Sequence, residues 1–286
     1  MFKSLRCGAV DGMSHGTMLH AHGLLMITPT LGQSPWIADT MSDVERLRLP
    51  LQHILVTSPE LVGPLSVRWP NSVVVAEPVG LGGVYGAINI GAAAVADWRW
   101  ITWINDDDRL LPGFGELWRR AQEESASVDV WYGDVGYIDS HGRDLSTMPA
   151  CRHAGDVPAL LAAGMAPFTQ HGALIGCDLW NRLGGLNASL RIAGDFDFWV
   201  RAAAGGARFR YVPRKVAAFR VRSGQLSGDV AAAQAEVETV LRRRDLAVGD
   251  LRRWLAVLRF RTRNFPRVFG RVRRTGRLRS RGMFDH

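Results

Sequence analysis

Three consecutive carboxylates, Asp106, Asp107 and Asp108, close the apolar run Trp103-Ile104-Asn105 and lead into Pro112-Gly113. Adjacent carboxylates repel one another, so three of them at the end of a buried strand need a cation or strong donors to hold them. A divalent metal is the simplest neutraliser, since Mg²⁺ and Mn²⁺ take hard oxygen ligands. A solvated acidic turn or a helix N-cap would place aspartates here too. A second acidic pair, Asp195 and Asp197, opens the helical pattern at 194–204, where the helix dipole favours negative charge and a capping role is the plain reading. Near these in the order of the chain stand Thr28-Pro29-Thr30, Glu77-Pro78, the glycine-rich loop 80–86, Gln170-His171 and Arg220-Val221-Arg222.

The elements that must carry these groups follow from the pattern of apolar residues. Residues 23–27, 53–57, 72–76 and 98–104 are short continuous apolar runs, the signature of parallel strands covered on both faces. Helices are predicted over 34–48 and 87–96. Strands alternating with helices imply a mostly parallel sheet wrapped by helices, and such sheets bind ligands at the carboxyl ends of their strands. Thr28-Pro29-Thr30, Glu77 and the aspartate triplet all fall there. In the second half, 128–138 reads as strand and 159–165 as helix. Gln170 and His171 open a predicted strand at 170–174, where a lone histidine fits a hydrogen-bonded core position as well as an acceptor site. A short helix at 179–183 ends at Gly184-Gly185, a C-cap signal. Trp98, Trp100 and Trp103 fall on alternating or adjacent strand positions, where core packing outweighs stacking on a ligand as the reading.

The composition suits one α/β domain with an appendage: 286 residues, 47% hydrophobic and 22% charged, which excludes disorder throughout. The net charge of +8 is unevenly placed. Residues 241–286 hold fifteen Arg and three Asp, net +12, which leaves −4 on residues 1–240. Cys7, Cys151 and Cys177 are widely spaced without a Cys-x-x-Cys pair, so neither a disulfide framework nor a zinc site is expected, and a reducing, cytoplasmic setting fits. The first 22 residues lack the apolar core of a signal peptide, and no run reaches the roughly 18 apolar residues of a spanning helix.

The ordered series Ile27-Thr28-Pro29-Thr30, Glu77 with Gly83-Val84-Tyr85-Gly86-Ala87-Ile88-Asn89, Asn105-Asp106-Asp107-Asp108 with Pro112-Gly113, Tyr132-Gly133-Asp134, Gln170-His171, Leu183-Gly184-Gly185 and Gly194-Asp195-Phe196-Asp197 resembles family-2 glycosyltransferases of the GT-A fold, over about residues 23–228. The resemblance implies an inverting transfer of a sugar from a nucleoside diphosphate to a hydroxyl acceptor, a saccharide or lipid-linked one, in cell-surface polysaccharide or glycolipid assembly. It implies that Asp108 holds Mg²⁺ or Mn²⁺ with Asp106, that Asp106 and Asp107 face the nucleotide or the metal's waters, and that Asp195 is the general base. The triplet permits two registers. By the same resemblance Thr28, Pro29, Thr30, Glu77, Gly83 and Asn89 contact the nucleotide-sugar, while Gln170, His171 and Asp197 lie on the acceptor side. This chain departs from the family at Thr57-Ser58-Pro59-Glu60, where an aspartate is common, at Gly86, and at Arg222, where relatives often have histidine. Arginine cannot ligate a metal, but it can clamp a diphosphate, so Arg222 is expected on phosphate.

Three regions follow: an extension at 1–22, a GT-A domain at 23–240 whose nucleotide half is about 23–113 and whose acceptor half is about 114–240, and a basic tail at 241–286. Leu251, Trp254, Leu255 and Leu258 fall at helical spacing among arginines, with Pro266 expected to end the run. Such a helix suits an anionic membrane surface and a peripheral position on the inner face of the cell membrane. Two other readings stay open. One is a nucleic-acid-binding or scaffold protein with a degenerate transferase domain, disfavoured because the tail has no recognised binding motif. The other is a sugar nucleotidyltransferase, disfavoured because residues 28–32 contain no basic phosphate ligand.

Overall fold

The computed structural model describes residues 23–78, 83–124, 127–222, 224–244 and 246–276. The extension at 1–22, residues 80–82 of the glycine-rich loop and the last ten residues lie outside the described residues.

Four strands, β1 (Leu24–Pro29), β2 (Leu51–Thr57), β3 (Val73–Ala76) and β4 (Trp100–Trp103), are parallel in the order β3-β2-β1-β4. Side chains on opposite faces of β1 enter different clusters, Leu25 and Ile27 in one, Leu24 and Met26 in the other. A strand buried on both faces needs apolar residues at every position, which is why Leu24–Ile27 does not alternate. Each such side chain contributes about 1.5–3 kcal/mol by leaving water.

Helix α1 (Ile37–Arg46) follows β1, α2 (Val62–Arg68) links β2 to β3, and α3 (Val84–Ala93) leads to β4. Gly91 lets α3 lie directly on β1 and β2, since a Cβ there would meet Ile27 Cγ2 at 2.9 Å. After β4 come β5 (Arg109–Leu110), α4 (Gly113–Glu123), β6 (Val130–Ile138), β7 (Asp144–Thr147), α5 (Val157–Ala162), β8 (Ala173–Gly176), α6 (Cys177–Leu183), α7 (Gly194–Ala204) and β9 (Phe209–Arg220). β8 runs antiparallel to both β4 and β6, and β9 runs parallel to β6. β5 and β7 oppose their neighbours β9 and β6. Thus β1, β2, β3, β4, β6 and β9 point one way and β5, β7 and β8 the other, as a mostly parallel sheet requires. The carboxyl ends of six strands and the start of β8 share one rim.

The predicted helices and strands are present with shifted ends, and the 194–204 helix matches α7. Gln170 and His171 differ from expectation. They sit in a 3₁₀ turn, Gln170–Gly172, ahead of β8. A Cβ on Gly172 would lie 2.8 Å from Val135 and 2.9 Å from Val216, so the chain crosses β6 and β9 too closely to extend until Ala173.

The C-terminal part holds α8 (Val230–Arg243) and α9 (Asp250–Thr275). The helix does not end at Pro266 but runs through it. An internal proline costs about 3 kcal/mol, and contacts on both sides of it offset that. Asn264 pairs with the backbone of Ala150 at 3.2 and 3.1 Å, and Arg267 donates to Met148 O at 3.0 Å and to Asp134. Among the described residues no helix is long and apolar enough to cross a membrane.

Candidate active site

A cleft of about 740 Å³ opens at the rim. Pro29 and Thr30 leave β1 there, Glu77 follows β3, Asp106 and Asp107 follow β4, Gln170 and His171 precede β8, and Arg222 follows β9. Gly83, at φ +106° where L side chains are strained, starts α3 at its edge, and Asp195 faces the cleft from the first turn of α7.

The three aspartates diverge although they are consecutive. Thr30 Oγ1 donates to Asp106 Oδ2 at 2.6 Å, and Ser34 Oγ donates to the Asp106 carbonyl at 2.8 Å. Burial, with the neighbouring Asp107 charge adding to it, pushes the Asp106 carboxyl up to about 6. Asp107 Oδ2 accepts from Arg222 Nε at 2.7 Å. Its pKa is also raised, by burial and then by Asp108. Asp108 is fully buried and does not line the cleft. Its Oδ1 accepts from the Arg220 N–H at 2.8 Å, and its Oδ2 lies 3.0 Å from Asn105 Nδ2 and 2.8 Å from His171 Nε2. That saturated position does not fit the metal-holding role expected of Asp108. The carboxylates open to a ligand are Asp106 and Asp107.

Three other expected residues stand away from the cleft lining. Thr28 is buried, with Oγ1 3.0 Å from His53 Nε2, because β1 turns outward only at Pro29. Asn89 exchanges two hydrogen bonds with the backbone of Leu186, at 2.8 and 2.9 Å, and so fastens the turn after α6 to α3. Asp197 pairs with Arg201 at 2.7 Å, whose other nitrogens donate to the carbonyls of Leu183 and Gly185 at 2.8 Å.

Asp195 is held differently. Its Oδ1 accepts from the Phe196 N–H at 2.8 Å, and the enclosing protein raises its pKa by desolvation. Tyr85 packs against Gly194 so closely that a Cβ there would lie 2.5 Å from the ring, and its hydroxyl donates to the Ile192 carbonyl at 2.6 Å. Glu236 on α8 accepts the N–H groups of Arg191, Ile192 and Ala193 at 2.9, 2.8 and 2.8 Å. Burial alone would raise the Glu236 pKa, but those donors hold it low. Three buried atoms of cleft-lining residues have no partner among the described residues, Glu77 Oε1, Gln170 Oε1 and His171 Nδ1.

Sequence reasoning missed Glu236 and Trp36, and it missed the role of Arg220. Arg220 is 1% exposed and donates through Nε to the Asp107 carbonyl at 2.7 Å, besides holding Asp108. The sequence reading set Arg220 beside Arg222 in one segment but gave it no role of its own. Glu236 reads in sequence as one more solvated helix position. The guanidiniums of Arg220 and Arg222 both lie over the Trp36 ring, at 5.1 and 5.9 Å from its centroid.

A sheet in which β8 turns antiparallel beside β4, with an acidic pair at the β4 exit and a second acidic helix start across the cleft, is the architecture of the GT-A fold. The chain adopts that fold, as its likeness to solved structures shows. It superposes on TarS of S. aureus with a TM-score of 0.60 at 14% identity, covering 85% of this chain and 43% of that one. The mannosyltransferase PcManGT of Pyrobaculum calidifontis, solved with GDP-Man and Mn²⁺, gives a TM-score of 0.58 at 14% identity, covering 87% of this chain and 72% of that one. The glucosyl-3-phosphoglycerate synthase of Mycobacterium tuberculosis, solved with Mn²⁺, UDP and glucosyl-3-phosphoglycerate, gives 0.52 at 14% identity over 80% of this chain and 81% of that one. No protein-family model matches the chain, and no curated protein matches it in sequence.

Proposed function

We propose that the protein is an inverting, family-2-type glycosyltransferase that moves a sugar from a nucleoside-diphosphate donor to a hydroxyl acceptor, serving cell-surface polysaccharide or glycolipid assembly. The observation that carries this reading is that one cleft brings together two kinds of acid, Asp106 with Asp107 at the β4 exit and Asp195 at the start of α7. The first pair suits a diphosphate and its counter-cation, the second a proton acceptor.

In the transfer, Asp195 takes the proton of the acceptor hydroxyl as that oxygen attacks the anomeric carbon. The carbon–oxygen bond to the diphosphate breaks, its electron pair leaves with the phosphate, and the configuration inverts. A raised pKa makes Asp195 a better proton acceptor near neutral pH. Pro29, Thr30, Glu77 and Gly83 frame the nucleotide side, and Gln170 and His171 the acceptor side.

The residues present fit a divalent cation. Asp106 and Asp107 are hard oxygen donors that line the cleft side by side, and burial raises the pKa of both. Among the described residues no group of three His, Cys, Asp or Glu side chains forms a closed cage. Two carboxylates leave positions for phosphate oxygens and water, the arrangement Mg²⁺ and Mn²⁺ adopt between protein and nucleotide. Such an ion supplies Lewis-acid stabilisation of the departing diphosphate.

Calorimetric titration of UDP-, GDP- and dTDP-sugars with and without Mn²⁺, followed by NMR of the product's anomeric proton, tests the reading. One donor should bind with metal assistance, bind weakly to Asp107→Asn, and yield the inverted anomer. Absence of binding by all donors would favour a degenerate or nucleic-acid-binding protein, and a retained anomer would overturn the role given to Asp195.

A further inference from the structure

Arg222 stands where it can act on the cation as well as on the phosphate. Its Nε donates to Asp107 Oδ2 at 2.7 Å, and among the described residues no acceptor engages its two Nη groups. Gln225 steadies the arrangement: its Oε1 accepts the Arg222 N–H at 3.1 Å, and its Nε2 donates to the Arg220 carbonyl at 2.7 Å. The Arg222 side chain is 35% exposed and the Asp107 side chain 6%, and both line the cleft.

We infer that Arg222 is a tethered counter-ion which occupies Asp107 until a diphosphate arrives, making divalent-cation binding conditional on the nucleotide. The inference rests on the glycosyltransferase reading above. Coulomb attraction between a guanidinium and a carboxylate near the surface is comparable to other interactions in the cleft, so a diphosphate with its greater charge competes for the fork effectively. Once the two Nη groups and then Nε turn to phosphate oxygens, Asp107 is released to the cation. Free protein therefore binds metal poorly, and the metal and the donor reinforce each other.

Mn²⁺ binding to the full chain, read by the electron paramagnetic resonance of the free ion, tests this without any turnover. Arg222→Gln should bind Mn²⁺ about tenfold more tightly than wild type in the absence of nucleotide, a difference of roughly 1.4 kcal/mol. A nucleoside diphosphate should tighten Mn²⁺ binding to wild type far more than to the variant. Arg222→Lys, which keeps the charge, should stay near wild type. Equal or weaker Mn²⁺ binding by Arg222→Gln, or no Mn²⁺ binding by either protein, overturns the inference. The donor reading fails separately, when no nucleotide binds any variant.

An independent observation on α9 supports a second inference. Leu251, Trp254, Leu258, Phe265 and Phe269 are 71, 60, 43, 65 and 57% exposed and recur every three to seven residues along one face. The opposite face is fixed to the domain: Ala256, Asn264 and Arg271 are buried, and Arg259 and Arg267 pair with Asp156 and Asp134. The helix cannot roll to hide its apolar stripe. That stripe runs roughly 27 Å from Leu251 to Phe269, along a 26-residue helix whose charged residues are nine arginines and Asp250.

The geometry points to an anionic lipid bilayer as the occupant of this stripe. Apolar side chains enter the acyl boundary while flanking arginines meet headgroup phosphates. A second copy would set arginine rows against arginine rows, and nucleic acid would leave the Trp, Leu and Phe side chains in water. Sedimentation of the full chain with vesicles of phosphatidylcholine alone, or with about one-third phosphatidylglycerol, tests it. Wild type should bind only the anionic vesicles, and the surface variant Trp254→Ser/Phe265→Ser/Phe269→Ser should lose about tenfold or more in affinity. Equal binding by the variant, no vesicle binding, or a wild-type dimer that the variant abolishes would each overturn the proposal.

Discussion

Removing the Asp108 carboxylate would leave the Arg220 N–H, the Asn105 amide and the His171 ring without their acceptor in a fully buried place. Asp108→Ala is therefore expected to lose about 3 kcal/mol in urea unfolding, the scale of an emptied buried charge site. Asp107→Asn should change stability by less than about 1 kcal/mol, because its carboxylate already faces the cleft and carries a raised pKa. Its defect should appear in metal and nucleotide titrations. Asp195→Asn should lower kcat by about 10²–10⁴-fold, the usual contribution of a general base, while the donor Kd moves by no more than about twofold. An equal loss in donor affinity would place Asp195 in binding instead. The triplet was legible in sequence as an acidic site at a strand end, but the division of labour within it was not. It is set by Arg220 and His171, which approach from 112 and 63 residues further along the chain.

The parallel strands are tied by more than their ladder. His53 is buried with Nε2 against Thr28 Oγ1 and Nδ1 2.9 Å from Ser72 Oγ, so one ring joins β1, β2 and the entry to β3. Burial lowers its pKa to about 4, from 6.5. Between those values the unfolded chain takes up the proton more readily than the folded one. The His53 contribution is thus complete above pH 6.5 and lost as pH falls toward 4. Wild type should lose about 2 kcal/mol more than His53→Gln between pH 7.5 and 5, read as a difference so that the carboxylates cancel. The start of α7 depends in the same way on another element. Glu236→Ala would release three backbone N–H groups and should cost about 1–3 kcal/mol, with a fall in kcat because Asp195 loses its fixed approach. Element by element, strands and α7 were readable because their apolar periodicity and glycine stops are local. The turn at Gln170–Gly172 and the passage of α9 through Pro266 were not, since each is decided by side chains of distant elements, Val135 and Val216 in one case, Asp134 and Ala150 in the other.

At the scale of the whole molecule, α9 belongs to the domain and is not a detachable tail. It packs on α5 and β7, and its loss would uncover Asp134 and Asp156 without their arginines. A chain cut after residue 248 should show a lower and broader thermal transition than wild type, whereas the three-serine surface variant should melt like wild type. Charge asymmetry announced a separate basic region because composition registers the arginines and not the faces they occupy. The order of synthesis gives this clasp a further meaning. α9 leaves the ribosome after everything it covers, so Asp156, Ala150 and Asp134 wait uncovered until Arg259, Asn264 and Arg267 have emerged. Chains interrupted upstream of Arg259 would carry that open edge, a mark by which proteases and chaperones could tell an unfinished copy from a finished one.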